Sequence, residues 1–155
     1  MSESLIQPDF MPDMLHSGTV NAPAIAALGK AAELAVGNGT EKILEHERRL
    51  AGDFIERIRI VDGVKVLGTD DMSKRNGTVA FVIDGIDSGE AANVLGNEFK
   101  IAARGGWHCA FLAHKTLGTQ KQGAVRVGFG YYNTLLDSVI AARSVSVIAE
   151  RVKKK

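Results

Sequence analysis

The feature that most limits the fold is a change of hydrophobic period at Asp62-Gly63. Before it, Ile43, Leu44, Leu50, Ala51, Phe54, Ile55 and Ile58 recur at three- and four-residue spacing. Glu45, Arg48, Arg49, Asp53 and Arg57 fall mostly on the other face, so the spacing predicts an amphipathic helix from Thr40 or Glu41. After it, Val64-Lys65-Val66-Leu67 alternates and Thr78 to Ile83 is rich in β-formers, which predicts two strands joined by the polar loop Gly68 to Gly77. A chain that changes period in this way has to pack helices against a sheet.

The remaining segments fill in that plan. Asn21 can cap a helix with Pro23 in its first turn, ended by Gly37-Asn38-Gly39, and this helix and the next are expected to cover one side of the sheet. Ser88 is expected to cap a short helix through Leu95, and Lys100 to Ala103 reads as a strand. The segment His114 to Gly123 reads as a loop, Ala124 to Phe129 as a strand, and Thr134 to about Val152 as a last helix whose Thr134 and Asp137 form a capping-box pattern. Residues 1–20, with Pro8, Pro12 and Gly18 among Phe10, Met11, Met14 and Leu15, show neither period and are expected to form an extended arm. The predicted organisation is thus an arm at 1–20, one α+β domain at 21–152 with a mixed or antiparallel sheet and helices packed on one face, and a solvated basic tail at 153–155.

Composition excludes several functions. With 19 basic and 18 acidic residues the net charge is +1, so no general field favours nucleic acid or an anionic membrane. The 155 residues contain one cysteine, which rules out an internal disulfide, and no apolar run suits a signal peptide or a spanning helix. The chain is therefore expected to be soluble and cytoplasmic.

That cysteine lies in Arg104-Gly105-Gly106-Trp107-His108-Cys109-Ala110, followed by His114-Lys115 and Val125-Arg126. A thiol acts as a nucleophile only as thiolate, and cationic neighbours and free backbone N–H groups favour that form. The pattern suits a reactive cysteine, and it equally suits a small buried apolar residue, the commoner fate of a lone cysteine. Spacing leaves both readings open.

Five motifs carry a resemblance to a known family. They are Ser17-Gly18-Thr19-Val20-Asn21 with Pro23 and Ile25, His46-Glu47, the Arg104–Ala110 stretch, Leu112-Ala113-His114-Lys115-Thr116-Leu117-Gly118-Thr119, and Val125-Arg126 leading to Phe129-Gly130-Tyr131-Tyr132-Asn133-Thr134. In this order, over nearly the full length, the chain resembles the small C-terminal domain of class V aminotransferase-like enzymes, fold type I pyridoxal phosphate proteins. Within that class it is most similar to the cysteine desulfurases and selenocysteine lyases.

The resemblance implies a chemistry. In that family pyridoxal phosphate serves as the electron sink while an enzyme thiolate attacks the sulfur of L-cysteine, leaving alanine and a protein persulfide. Cys109 matches the persulfide-forming cysteine, Arg126 the arginine that grips the substrate carboxylate, and Arg104 and His108 the basic residues flanking the nucleophile. Family enzymes are more than twice as long, and the Schiff-base lysine and most of the cofactor pocket belong to a large domain that has no counterpart here. Lys115 matches the segment after the nucleophile, not that lysine. The resemblance therefore implies a fragment or split product, inactive alone and binding no cofactor or metal itself. In the complete enzyme it implies L-cysteine or L-selenocysteine as substrate and a possible sulfur-acceptor protein.

Some positions depart from the pattern: His16 replaces an acidic residue, Phe111 a proline, Gly128 a serine, and Leu135 and Leu136 two glutamates. Two other readings remain beside the enzyme part. One is a stand-alone persulfide carrier or interaction module, and the other is a domain of an aminotransferase-like enzyme with another substrate. Apolar surface left by a missing partner domain predicts a homo-oligomer, with the arm exchanged between copies.

Overall fold

Helix α1 (Ala22–Asn38) starts where Asn21 accepts a hydrogen bond from the Ala24 N–H at 3.1 Å and stops at Gly39, whose φ of 84° few other residues adopt. The computed structural model describes residues 8–16 and 18–154. Residues 1–7 of the expected arm, Ser17 of the Ser-Gly-Thr motif and Lys155 of the expected tail lie outside the described residues. The chain divides into two compact units, Met1–Gly39 and Thr40–Lys155. The first contains a short 3-10 turn, Asp13–Leu15, and α1, which buries none of its residues. The expected boundary near residue 20 thus falls inside the first unit.

The second unit is an α+β fold. Helix α2 (Thr40–Arg59) buries Leu50, Ala51, Phe54, Ile55 and Ile58, the stripe that its spacing predicts. Strands β1 (Val64–Val66), β2 (Thr78–Ile83), β3 (Arg104–Gly106) and β4 (Ala124–Gly128) form one antiparallel sheet in the order β1-β2-β4-β3. Helices α3 (Ser88–Phe99), α4 (Phe111–Leu117) and α5 (Leu135–Lys153) complete it.

Strand alternation separates the two faces of the sheet. Val79, Phe81, Ile83, Val125 and Val127 point into the core shared with α2, α3 and α5. At its centre the Phe54 ring meets Phe81 at 5.7 Å and Phe129 at 5.5 Å between centroids. Burying one such phenyl ring contributes about 1.5–3 kcal/mol. Polar ties fix the helices as well: Asp53 on α2 holds Arg57 in a fork at 2.8 and 2.9 Å and accepts from the Ser138 hydroxyl of α5. His46 Nε2 donates to the Asn133 carbonyl ahead of α5 at 2.9 Å. The other face carries only the small cluster of Leu67, Val82 and Ala124, with Ala80 against it, and leaves Arg126 exposed.

The structure moves several expected boundaries. Helix α3 continues to Phe99 and closes on Lys100 in the left-handed region, so Lys100–Ala103 is not a strand and β3 begins at Arg104. Its N-cap is Asp87, which accepts from the Gly89 and Glu90 N–H groups, and this frees Ser88 for another task. The segment expected to be a loop after Cys109 opens with α4. Lys153, expected in a free tail, belongs to the last turn of α5 and pairs with Asp62. The Thr134 cap holds, with its N–H donating to Asp137 Oδ2 at 2.7 Å.

Gly105 is where the sheet and α3 come closest: a Cβ built there would lie 2.2 Å from the Ser88 carbonyl oxygen. Gly105→Ala should therefore lower the unfolding free energy in urea by about 2 kcal/mol or more. Gly96→Ala inside α3, where the nearest atom to a built Cβ is 4.0 Å away, should raise it by about 0.5–1 kcal/mol.

Candidate functional site

The sulfur of Cys109 sits in the turn between β3 and α4, and main-chain geometry rather than a cap places it there. His108 and Cys109 have φ of 52° and 61°, two successive left-handed residues of which neither is glycine. Such a backbone costs free energy and persists only where its surroundings impose it. The Ala110 N–H donates to the Trp107 carbonyl at 2.8 Å and closes the turn. On one side Trp107 Nε1 donates to the Gln120 carbonyl at 2.9 Å and its ring meets Phe111 edge-on at 5.1 Å. On the other, His108 Nε2 donates to the Ala124 carbonyl at 3.0 Å.

Below the turn Ser88 acts as a peg. Its hydroxyl accepts from the Gly106 N–H at 3.0 Å and its own N–H donates to the Gln122 carbonyl at 3.1 Å. Gly123 passes so close that a Cβ would lie 2.6 Å from the Ser88 oxygen. The loop ahead of β4 is closed by His114, which is buried with Nδ1 at 2.7 Å from the Thr119 hydroxyl. Trp107, His108, His114 and Thr119 lie within the motifs, whereas the seat of Ser88 against Gly106 and Gly123 has no mark in sequence beyond a serine and two glycines, and the only signal for α4 is the glycine at 118 that ends it with φ 71°.

The four candidate residues come together on the open side of the sheet. Arg104 stands opposite Arg126 in the β3–β4 register, so both side chains share that face. One Nη of Arg104 lies 4.0 Å from Cys109 Sγ, the long end of an N–H···S contact. Cys109 is exposed, which removes the reading of a buried apolar cysteine. Thr78, Ala102, Ala103, Arg104, Arg126 and Gly128 line an open groove of about 500 Å³ on that face, and Arg104 links it to Cys109.

His108 is neutral near pH 7. Burial pushes its pKa below the ordinary 6.5, and the charges of Arg126, Arg104 and His114 push the same way, against the carbonyl of Ala124. A carbonyl oxygen only accepts, so Nε2 carries the proton and the buried Nδ1, which has no protein partner, carries a lone pair. Protonation would bury an unsatisfied N–H. His108 therefore supports the turn as a neutral hydrogen-bond donor rather than as a cation.

The groove suits one end of a small anion. Its two guanidiniums are unopposed by any carboxylate among the lining residues, and a planar fork takes a carboxylate through two parallel bonds. It does not fit pyridoxal phosphate by itself: it presents no lysine to form an imine, no carboxylate for a pyridinium nitrogen and no aromatic ring to stack on. Lys115 is exposed on α4, away from those lining residues. No group of three or more His, Cys, Asp or Glu able to hold a metal occurs among the described residues.

The pH dependence of stability follows from His108. Its folded pKa lies below 6.5, so the unfolded chain binds the proton more readily and the contribution is complete above 6.5, then lost as pH falls toward the depressed value. Urea unfolding between about pH 5 and 8 should show stability declining toward acid, and His108→Gln should make that decline shallower. An identical slope in both proteins would remove His108 from the account.

Comparison with known proteins brings in an independent observation. The family model for aminotransferase class-V matches residues 3–137. A probable cysteine desulfurase 2 of Mycobacterium leprae is 30% identical over 132 residues, covering 84% of this chain and 31% of the relative. A probable cysteine desulfurase of Halobacterium salinarum is 33% identical over 138 residues, again 84% and 31%. Among solved structures, the apo cysteine desulfurase of Thermococcus onnurineus superposes with a TM-score of 0.80 at 27% identity, covering 93% of this chain and 34% of that one. Cysteine desulfurase CsdA of Escherichia coli has the same fold, with a TM-score of 0.76 at 24% identity over 92% of this chain and 33% of its own. The chain thus spans only about a third of the length of these relatives.

Proposed function

Since the chain belongs to the aminotransferase class-V family, we propose that it is the C-terminal small domain of a pyridoxal phosphate-dependent cysteine desulfurase, acting in the cytoplasm. The family depends on pyridoxal phosphate in general, and the similar proteins are named cysteine desulfurases. The observation that carries the reading is the exposed thiol of Cys109 beside Arg104, with Arg126 directly across the strand pair.

Each residue then has one task. Arg126 binds the α-carboxylate of L-cysteine, or of L-selenocysteine, and orients the substrate chalcogen toward the turn. Arg104 stabilises the Cys109 thiolate by its charge, and His108 holds the turn against β4. Cys109 sulfur bonds to the substrate sulfur as the substrate Cβ–S bond breaks. The electron pair of that bond stays with carbon, which takes a proton, so the products are alanine and a Cys109 persulfide. The exposed turn lets a sulfur-acceptor protein reach that persulfide. The cofactor and its lysine are supplied by a large domain, and the chain alone is inactive.

With pyridoxal phosphate and L-cysteine, the isolated chain should release no alanine above the protein-free rate. Fused to the lysine-bearing large domain of a similar desulfurase, it should release alanine and gain one sulfur on Cys109 by mass spectrometry. Cys109→Ala should abolish the sulfur gain, and Arg126→Lys should raise KM for L-cysteine about tenfold or more. Release of alanine by the isolated chain would overturn the assignment of inactivity.

The exposure of Cys109 also favours a second reading, a free-standing persulfide carrier. A carrier would take sulfur from a small persulfide donor without the large domain, which the same mass measurement detects.

Self-association is the other part of this proposal. Ile25, Leu28, Leu34 and Val36 are exposed on α1, and Tyr131, Tyr132, Leu135 and Leu136 are exposed around the start of α5. Apolar surface of this extent drives association, so light scattering should report a homodimer or larger assembly. A monomer at high concentration would overturn it.

A further inference from the structure

Two arginines of this chain differ from those that pair with carboxylates. Arg57, Arg59 and Arg151 each pair with a carboxylate. Arg48 and Arg75 are half-buried and bond only main-chain carbonyls. Arg48 donates through Nε to Arg75 O at 2.7 Å and through one Nη to Ser73 O at 2.6 Å. Arg75 donates through Nε to Thr69 O at 2.5 Å and through one Nη to Leu67 O at 3.0 Å. These bonds hold both guanidiniums rigidly and leave the remaining N–H groups of each without a protein acceptor. Their positive charge is partly removed from water with no carboxylate bonded to it, an arrangement that favours a bound anion.

Both side chains line one shallow basin of about 650 Å³ with Lys74, Asn76 and Thr78. No acidic residue lines it among the described residues. Asp71 feels the charge of Arg48, but its oxygens bond the Ser73 N–H and hydroxyl and pair with Lys74 at 3.2 Å. The Asn76 carbonyl oxygen accepts from the Thr78 N–H at 2.9 Å, which leaves its amide N–H groups as donors. Thr78 adds a hydroxyl, and it also lines the groove of Arg104 and Arg126, so the two basins adjoin.

We propose that Arg48, Lys74 and Arg75, with Asn76 and Thr78, form a binding site for a phosphate group, separate from the groove of Arg104 and Arg126. Three cations from α2 and from the loop ahead of β2, of which Lys74 also pairs with Asp71, line the basin with two neutral donors, more than the two oxygens of a carboxylate can use. A phosphate dianion offers three strong acceptor oxygens and the charge to match. The group is either free phosphate or the end of a small phosphate monoester. This site is independent of any desulfurase role.

Calorimetric titration of the chain with inorganic phosphate and, separately, with glycerol phosphate, at fixed ionic strength, tests the proposal. Saturable binding that persists in Arg126→Gln, where the neighbouring groove has lost a guanidinium, is expected, with the tighter of the two ligands identifying the source. Lys74→Gln, at an exposed position, should weaken it about tenfold, and Thr78→Val should weaken it measurably while the fold stays intact by circular dichroism. Arg126→Gln should leave it unchanged. Absence of saturation, equal heats from chloride, or affinity indifferent to Lys74→Gln would overturn the site.

Discussion

The approach of one main chain to another, Gly105 against Ser88, is the constraint on which the candidate site depends. At 2.2 Å from a built Cβ to the Ser88 oxygen there is no room for any side chain, so β3 can lie there only as glycine. That seat fixes the edge of the sheet against the first turn of α3. From it the chain passes through Gly106, held by the Ser88 hydroxyl, into the strained pair His108 and Cys109. The register then does the rest: with Gly105 opposite Val125, Arg104 must stand opposite Arg126 and share its face. One steric fact therefore sets the thiol, Arg104 beside it and Arg126 across the strand pair.

How much of this was legible in sequence depends on whether the signal was local. Local signals read well. The Asn21 cap, the strand Thr78–Ile83 and the Thr134 to Asp137 cap all depend on residues within a few positions of one another, and all stand as expected. The α+β class followed from the period change at Asp62-Gly63, which depends only on which residues are apolar. The site residues were found by motif, and the register that brings Arg104 and Arg126 together had no mark in the sequence.

Where two local choices competed, the tertiary context decided. Ser88 is a good cap by type, yet Asp87 takes the cap and Ser88 becomes the peg beneath β3, where its hydroxyl accepts from the Gly106 N–H. Lys100–Ala103 has the composition of a strand, but α3 extends over one more turn and the Ile101 N–H returns to the Leu95 carbonyl. Helix α4 has seven residues and an unassisted N-cap at Ala110, too little period for the pattern to register. Its existence depends on the Trp107–Phe111 contact and on the His114–Thr119 hydrogen bond, which no spacing rule encodes.

Charge shows the same division between what composition reports and what position decides. A net charge of +1 describes a chain with no overall field, yet the cations and anions are not evenly matched in space. Carboxylates are spent along the helices and their connections, on Lys30, Arg57, Arg59, Lys74, Arg151 and Lys153. Arg48, Arg75, Arg104 and Arg126 bond none, and they surround the two basins that share Thr78. At that short range screening by salt is weak, so the local field at those basins is positive whatever the total. Near-neutral composition therefore excludes steering of a polyanion from a distance and leaves intact the capacity to bind small anions at close contact.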